Sequence, residues 1–193
     1  MEATNLTIKE YAGKSYYLHE SFFLAVFKSF IELLGGIAKD ELNDWYIDSH
    51  RKCIVDCLEL KTDSISLLKT LKNMGVYTSV VSNIDQDMIE PLIARDQLHN
   101  YLNHWISSEK VKSCKPDQKI FRHALELANL SEKEVLFVGD SPEHDIAGAS
   151  RLGMVTVLIT DGGMPPPLQS GVKKVTPDFT IKELSDILGV IGS

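Results

Sequence analysis

Residues 135–149 read VLFVGDSPEHDIAGA, and this stretch decides the fold of the 193-residue chain. Its first four residues are apolar, as in a short strand that is buried on both faces. Gly139 and Asp140 follow at once, and a second aspartate, Asp145, comes five residues after the first. Ligands of parallel α/β sheets bind at the carboxyl ends of the strands. The two carboxylates therefore suit Mg²⁺, which proteins hold through one or two carboxylates together with phosphate and water. The alternative is an Asx turn that caps the next helix.

Around this stretch, short apolar or β-branched runs alternate with helix-like segments from about residue 60 onward. Strands are predicted at residues 76–81, 101–107, 135–138 and 154–159. Helices are predicted at residues 67–74, 88–97, 117–128, 146–152 and 180–188, the last with Asp178 or Thr180 near its N-cap. A Gly/Pro loop is predicted at residues 162–167. This alternation indicates βαβ units, and hence an α/β fold with a Rossmann-like parallel sheet.

The first 58 residues predict helices instead of strands. Apolar side chains recur at helical spacing within residues 21–34, and Gly35 and Gly36 end that segment as C-cap glycines do. A further helix is expected at residues 40–57, and only residues 6–8 resemble a weak strand. The pattern thus divides the chain into a helical unit, residues 1–58, and an α/β unit, residues 59–193.

The overall composition excludes several classes of protein. With 44% hydrophobic and 24% charged residues, the chain has an ordinary globular composition. A net charge of −7 argues against nucleic-acid or anionic-membrane partners, which bind clustered Lys and Arg. The strongest apolar stretch, residues 22–34, is too short and too polar to span a bilayer. No signal-peptide pattern is found at the N-terminus.

The three cysteines, Cys53, Cys57 and Cys114, are an odd number and form no CxxC motif. Reduced thiols and a cytoplasmic location are therefore expected. Cys53 and Cys57 would share one helix face, but a zinc site needs two further ligands, and the sequence offers none nearby.

Two other polar segments follow predicted strands. In VVSN, residues 80–83, the Ser82 hydroxyl and nearby backbone N–H groups can hold a phosphate oxygen; alternatively, Ser82 caps the next helix. In CKPDQKIF, residues 114–121, Pro116 would begin a helix. Lys115 would then lie at a helix N-terminus, which is unfavourable for a cation unless an anion shares the site. The alternative is a solvated surface lysine.

In this order and spacing, the three segments resemble the second, third and fourth motifs of haloacid dehalogenase-like (HAD) hydrolases, over about residues 60–190. The resemblance implies that Ser82 binds the transferring phosphoryl group, with Asn83 beside it. It implies that Lys115 stabilises the negative charge of the nucleophile and of the phosphate. Asp140 would bind Mg²⁺, and Asp145 would support the metal directly or through water. Residues 1–58 would be the helical cap domain that selects substrate, and residues 59–193 the HAD core domain.

The chain also departs from the family pattern. HAD enzymes begin with a strand that ends in DxDx[TV], whose first aspartate attacks phosphorus, whereas the first aspartate here is Asp40, in a predicted helix. Asp85 and Asp87 spell DxD but follow Ser82, and we interpret them as carboxylates of a helix N-terminus. We therefore expect the chain to begin inside the cap, after the catalytic strand. Without that central strand, the sheet would close up, another chain would fill the slot, or the protein would be unstable alone, since unpaired strand edges are costly. Of these outcomes we expect closure or low stability.

Several functions are compatible with these residues. The first is a Mg²⁺-dependent phosphomonoester phosphatase, inactive or truncated as written because the nucleophile is absent. The second is a non-catalytic pseudo-phosphatase that binds or regulates. A receiver-type signalling domain is disfavoured because receivers place their acidic pair first and their lysine last. Dehalogenases and phosphomutases share the scaffold, but dehalogenases need no Mg²⁺, so Asp140 and Asp145 favour phosphoryl transfer. The expected partners are a small phosphorylated metabolite and a second copy of the chain in a homodimer.

Overall fold

Three helices lie within the first 57 residues of the computed structural model, which describes residues 2–160 and 175–192. The loop expected at residues 162–167 lies outside this range. The helices are α1 (Glu2–Tyr11), α2 (His19–Leu33) and α3 (Asp40–Cys57). Helix α2 ends where the sequence predicted, because Gly35 adopts a left-handed φ of 78°. The weak strand expected at residues 6–8 is wrong, since these residues lie inside α1. The division into two domains at residue 58 stays a prediction.

Strands and helices alternate through the rest of the described chain. The strands are β1 (Ser79–Ser82), β2 (His104–Ser107), β3 (Leu136–Gly139), β4 (Val155–Ile159) and β5 (Phe179–Ile181). The helices are α4 (Ser64–Asn73), α5 (Gln86–Arg95), α6 (Ser108–Val111), α7 (Gln118–Ala128), α8 (Ala147–Ser150) and α9 (Ile187–Ile191). A π-helical turn, Pro142–Ile146, joins β3 to α8. None of the helices in residues 2–160 and 175–192 has the length and apolar character needed to cross a membrane.

All strand pairs are parallel, which confirms the predicted α/β fold class. They form two separate sheets, β1-β2 and β3-β4-β5. The helix predicted at residues 180–188 is wrong in its first half, because residues 179–181 form β5. Asp178 does not cap a helix; its carboxylate accepts hydrogen bonds from the backbone N–H of Thr156, at 2.8 Å, and from the Thr156 hydroxyl, at 2.7 Å. These bonds place the segment alongside β4, where Ile181 is buried.

Helix α7 packs across both sheets. Its Ile120 and Phe121 are fully buried, in one cluster with Ile106 of β2, Val81 of β1 and Phe137 of β3. On the other face, Leu67 and Leu71 of α4 pack with Ile187 of α9 and with Leu136 and Val138 of β3. The core therefore lies on both faces of the strands, as the continuous apolar runs predicted.

Strands β1 and β3 do not pair with each other. A cavity of about 700 Å³ reaches both of them. The expected closure of the sheet by direct pairing of these strands is therefore wrong, because the helices that pack on both faces leave an open slot in the sheet.

Candidate functional site

Lys115 lies where the carboxyl ends of the two sheets meet. Its ammonium Nζ donates to Asp145 Oδ1, at 2.6 Å, and to the carbonyl oxygen of Val81 near the end of β1, at 2.9 Å. The side chains of Lys115 and Asp145 are only 13% and 5% exposed. Lys115 is thus a largely buried, paired cation and not the solvated surface lysine that the sequence left open. The pair brings together the segment before α7, the end of β1 and the turn after β3.

Asn83 positions Lys115 through the backbone. The Asn83 Oδ1 atom accepts from the Lys115 backbone N–H, at 2.6 Å, and Asn83 Nδ2 donates to the Lys115 carbonyl oxygen, at 3.0 Å. Pro116 does not begin α7, because Asp117 occupies the N-cap and accepts from the Lys119 backbone N–H. Lys115 is therefore held by Asn83 and by its ion pair, and not by the end of a helix.

Ser82 is the last residue of β1, directly after Val81, and is half-buried. It does not cap the following helix, because Asp85 occupies the N-cap position of α5. The Asp85 carboxylate binds a different helix: it accepts from the backbone N–H groups of His19, at 2.9 Å, and Glu20, at 2.8 Å. Burial raises the pKa of Asp85. Asp85 thus joins α2 to the strand-end region, a role that its sequence position did not indicate.

The two predicted metal ligands differ in environment. Asp140 is exposed, whereas Asp145 is buried and accepts a hydrogen bond from the Ser141 backbone N–H, at 3.0 Å, in addition to the Lys115 bond. A Cβ atom at Gly139 would lie 2.3 Å from the Asp145 carboxyl group, so this position requires glycine. Ser141, not Asp140, caps the turn by accepting from the His144 backbone N–H, at 3.1 Å.

The donor set for a metal is small. Within residues 2–160 and 175–192, no group of three or more His, Cys, Asp or Glu side chains is arranged to hold an ion. Both Asp145 oxygens already accept hydrogen bonds. Two carboxylates fit Mg²⁺ only when phosphate and water complete the shell, which is a usual arrangement for this ion.

Two histidines near the site were missed by sequence reasoning. Burial, together with the nearby His144, Lys115 and His50, lowers the pKa of His19 to about 4. The Nε2 atom of His19 is buried and has no hydrogen-bond partner among the described residues. Burial also lowers the pKa of His144, against the opposing effect of Asp145. His144 lies inside the motif and could have been noticed, but nothing in the sequence indicates that α2 brings His19 to Lys115.

The three cysteines differ in exposure. Cys53 and Cys57 are exposed on α3, and Cys114 is buried. The Cys114 thiol points to the Tyr17 carbonyl oxygen, at 3.5 Å, and burial raises its pKa. The thiol therefore packs in the contact between the segment before α2 and the segment before α7.

The part of the chain that contains these strand-end groups matches a known protein family. Residues 4–159 match the family model described as haloacid dehalogenase-like hydrolase. The chain belongs to the HAD-like hydrolase family. The resemblance that the three motifs indicated is thus confirmed, and the strand-end cluster of Lys115, Asp145 and Asn83 occupies the region where these motifs meet.

Curated relatives differ in their chemistry. The chain is 35% identical over 133 residues to a glyceraldehyde 3-phosphate phosphatase of Methanopyrus kandleri, covering 67% of this chain and 55% of that protein. It is 31% identical over 104 residues to (S)-2-haloacid dehalogenase 4A of Burkholderia cepacia, covering 54% of this chain and 45% of that protein. The chain thus spans about half the length of these relatives.

Solved structures share the fold. The Bacillus subtilis HAD-hydrolase YfnB, in a crystal structure with bound magnesium, aligns over 100% of this chain and 80% of its own, with a TM-score of 0.80 and 16% identity. At this identity the likeness establishes the fold alone.

Proposed function

We propose that this HAD-family chain carries the phosphate- and Mg²⁺-binding part of a phosphomonoester phosphatase, and that residues 1–193 by themselves bind a phosphorylated metabolite without turning it over. The buried Lys115–Asp145 ion pair at the carboxyl ends of β1 and β3 carries this proposal. Lys115, which is 13% exposed, places a cation at the carboxyl ends of the strands, where ligands of parallel sheets bind.

Each group has a distinct role in this proposal. The Lys115 ammonium attracts phosphate oxygens, and Asp145 and Asn83 hold it in place. The Ser82 hydroxyl, one residue beyond the Val81 carbonyl that Lys115 binds, donates a hydrogen bond to the phosphate. Asp140 is exposed and is the group that would hold Mg²⁺, which when bound neutralises phosphate charge.

The absence of turnover follows from the lack of an activated nucleophile. Covalent catalysis requires a nucleophile that a base or a lowered pKa activates. Among the described residues, no hydrogen bond joins the Ser82 side chain to a histidine or a carboxylate, and the carboxylate at Lys115 is Asp145, whose two oxygens are engaged. The runner-up function is a pseudo-phosphatase whose phosphate site regulates a partner, and it shares the same binding step.

The relatives named dehalogenases suggest a different reaction on the same scaffold. Two observations favour phosphate. The strand-end region holds two aspartates, Asp140 and Asp145, which suit Mg²⁺ together with phosphate. The relative with the higher identity, at 35%, is named a phosphatase.

The test combines turnover with binding. We expect no Mg²⁺-dependent hydrolysis of p-nitrophenyl phosphate, but binding of inorganic phosphate by calorimetry that Mg²⁺ strengthens. Lys115→Met should abolish this binding, whereas the control Lys119→Met, an exposed lysine four residues away, should leave it unchanged. A turnover that survives purification and is lost in Asp140→Ala would contradict the proposed inactivity. Equal phosphate binding by both lysine variants would contradict the site.

A further inference from the structure

Helix α2 is capped by a residue from another part of the chain. Its own N-cap residue, Leu18, offers no side-chain acceptor to the first turn. The Asp85 carboxylate takes this role, because it accepts from the first two backbone N–H groups of α2, the first of which belongs to His19. Asp85 makes no such bond to its own helix, α5. The N-terminus of α2 is therefore anchored three residues after Ser82.

The segment before α2 is anchored beside Lys115. The Cys114 backbone N–H donates to the Ser15 carbonyl oxygen, at 2.7 Å, and the Cys114 thiol points to the Tyr17 carbonyl oxygen, at 3.5 Å. Cys114 directly precedes Lys115 in the chain. The start of α2, with His19, is therefore fixed against both strand-end segments that carry the proposed phosphate-binding residues.

The His19 imidazole is held within this contact. Its ring stacks on Tyr17, with the ring centroids 5.7 Å apart and the planes 14° from parallel, and it lies 6.0 Å from the Phe23 ring centroid. The Nε2 atom is buried but has no hydrogen-bond partner among the described residues. A buried polar atom without a partner lowers stability, and most such atoms in proteins are paired. This exception, beside the strand-end site, is explained when a ligand atom supplies the partner.

The charges around the ring select the kind of partner. Burial, together with His144, Lys115 and His50, lowers the pKa of His19 to about 4, so the ring is neutral at neutral pH. A neutral imidazole has one N–H donor and one acceptor nitrogen. The Lys115 ammonium would repel a cationic ligand group but attract an anionic oxygen, which accepts from an N–H group. The partner that fits is therefore an oxygen of an anion bound at Lys115.

We propose that His19 contacts the ligand directly, and that its Nε2–H group donates a hydrogen bond to an oxygen of the same phosphate group that Lys115 binds. The phosphate then bridges α2 to the carboxyl ends of β1 and β3, so the helical part of the chain takes part in phosphate binding itself. This inference rests on the proposed function, because it adds a residue to the same site.

Calorimetric titration with inorganic phosphate tests the hydrogen bond. His19→Leu replaces the ring with an apolar side chain of similar size, and it should weaken binding about tenfold or more, as expected for one lost hydrogen bond to a charged group. His19→Gln keeps an N–H donor near the position of Nε2 and should bind within about threefold of the unsubstituted chain. The control His99→Leu changes an exposed histidine that precedes β2, and it should leave the affinity unchanged.

NMR of the imidazole nitrogens tests the contact without a substitution. In long-range proton–nitrogen spectra, the Nε2 resonance of His19 is identified as one that His19→Gln lacks. It should shift during the phosphate titration and saturate together with the calorimetric signal, whereas the resonances of His99 should not move. A histidine with only a structural role would give no such shift. This measurement also decides the matter should His19→Leu fail to fold.

The possible failures are distinguishable. Unchanged phosphate affinity in His19→Leu, or an unmoved Nε2 resonance at saturating phosphate, would overturn the inference, while binding that Lys115→Met abolishes would leave the proposed function standing. Equal weakening by His19→Leu and His19→Gln would overturn donation by Nε2. Acetate that binds more tightly than phosphate, and loses affinity in His19→Leu, would assign the contact to a carboxylate and overturn the phosphate. Absence of phosphate binding by the unsubstituted chain would contradict the proposed function and the inference together.

Discussion

Removing one partner of the Lys115–Asp145 pair should destabilise the chain strongly. Asp145→Asn keeps the size of the side chain but removes the negative charge beside the Lys115 ammonium, which is 13% exposed and keeps the Val81 carbonyl and the Phe137 ring as neighbours. Leaving one charge of a buried pair uncompensated costs about 3–5 kcal/mol. For a chain of this size, each kcal/mol lowers the melting temperature by about 2–4 °C, so a decrease of roughly 6–20 °C is expected.

Substitution of Lys115, alone and together with Asp145, tests whether the loss of stability comes from breaking the ion pair. Lys115→Met should cost less than Asp145→Asn, because Asp145 keeps the hydrogen bond from the Ser141 backbone N–H. In the double variant Lys115→Met/Asp145→Asn no charge is left unpaired. Its destabilisation should therefore fall short of the sum of the two single values by about 0.5–3 kcal/mol, the range found for directly interacting residues.

Urea unfolding followed by circular dichroism at pH 7 measures all three free energies. Lys119→Met serves as a matched control, because this exposed lysine lies on the first turn of α7, and its substitution should change stability by less than about 0.5 kcal/mol. Strictly additive single effects would show that Lys115 and Asp145 do not interact in solution. A cost below about 1 kcal/mol for Asp145→Asn would show that the lysine reaches water when its partner is removed.

Two further predictions concern the surroundings of this pair. Gly139→Ala should lower the free energy of unfolding by about 1–3 kcal/mol in urea, because the new Cβ would lie 2.3 Å from the Asp145 carboxyl group. The control Gly189→Ala should not destabilise the chain, because a Cβ there meets nothing within 4 Å. Equal effects of the two substitutions would refute the steric argument. His19 has a folded pKa of about 4 against 6.5 for a histidine in water, so between these values the unfolded chain binds the proton that the folded chain does not. Its contribution to stability is complete above about pH 6.5 and is lost as the pH falls towards 4, by up to about 3 kcal/mol. His19→Gln should therefore reduce the slope of unfolding free energy against pH in that window, and an unchanged slope would show that His19 is solvated in the folded state.

Much of the local structure follows from short-range patterns in the sequence. Helix α3 occupies residues 40–57 as predicted, and α2 ends at the glycines that allow a left-handed φ. Strands β3 and β4 lie within one residue of the apolar runs that predicted them. These features depend on side-chain periodicity and on glycine conformation, which act over a few residues and can be read without the fold.

The candidate site could be predicted only in part. The motifs indicated that Lys115 and Asp145 belong to one strand-end region, because parallel strands present their carboxyl ends at the same edge. They did not indicate that Asn83 binds the Lys115 backbone, or that Asp85 holds the N-terminus of α2, 66 residues away along the chain. Such contacts depend on where distant helices dock.

The sequence by itself thus determined the α/β class, the family and the identity of the strand-end groups, because local periodicity and motif order carry that information. Only the tertiary structure decided that residues 179–181 form β5, since the pattern there was too short to distinguish a strand from a helix and the contact of Asp178 with Thr156 resolves it. Only the tertiary structure decided that β1 and β3 stay apart. Pairing of these strands was favoured by their own unpaired backbone groups, but the side chains of α4, α7 and α9 that pack on both faces hold the slot open.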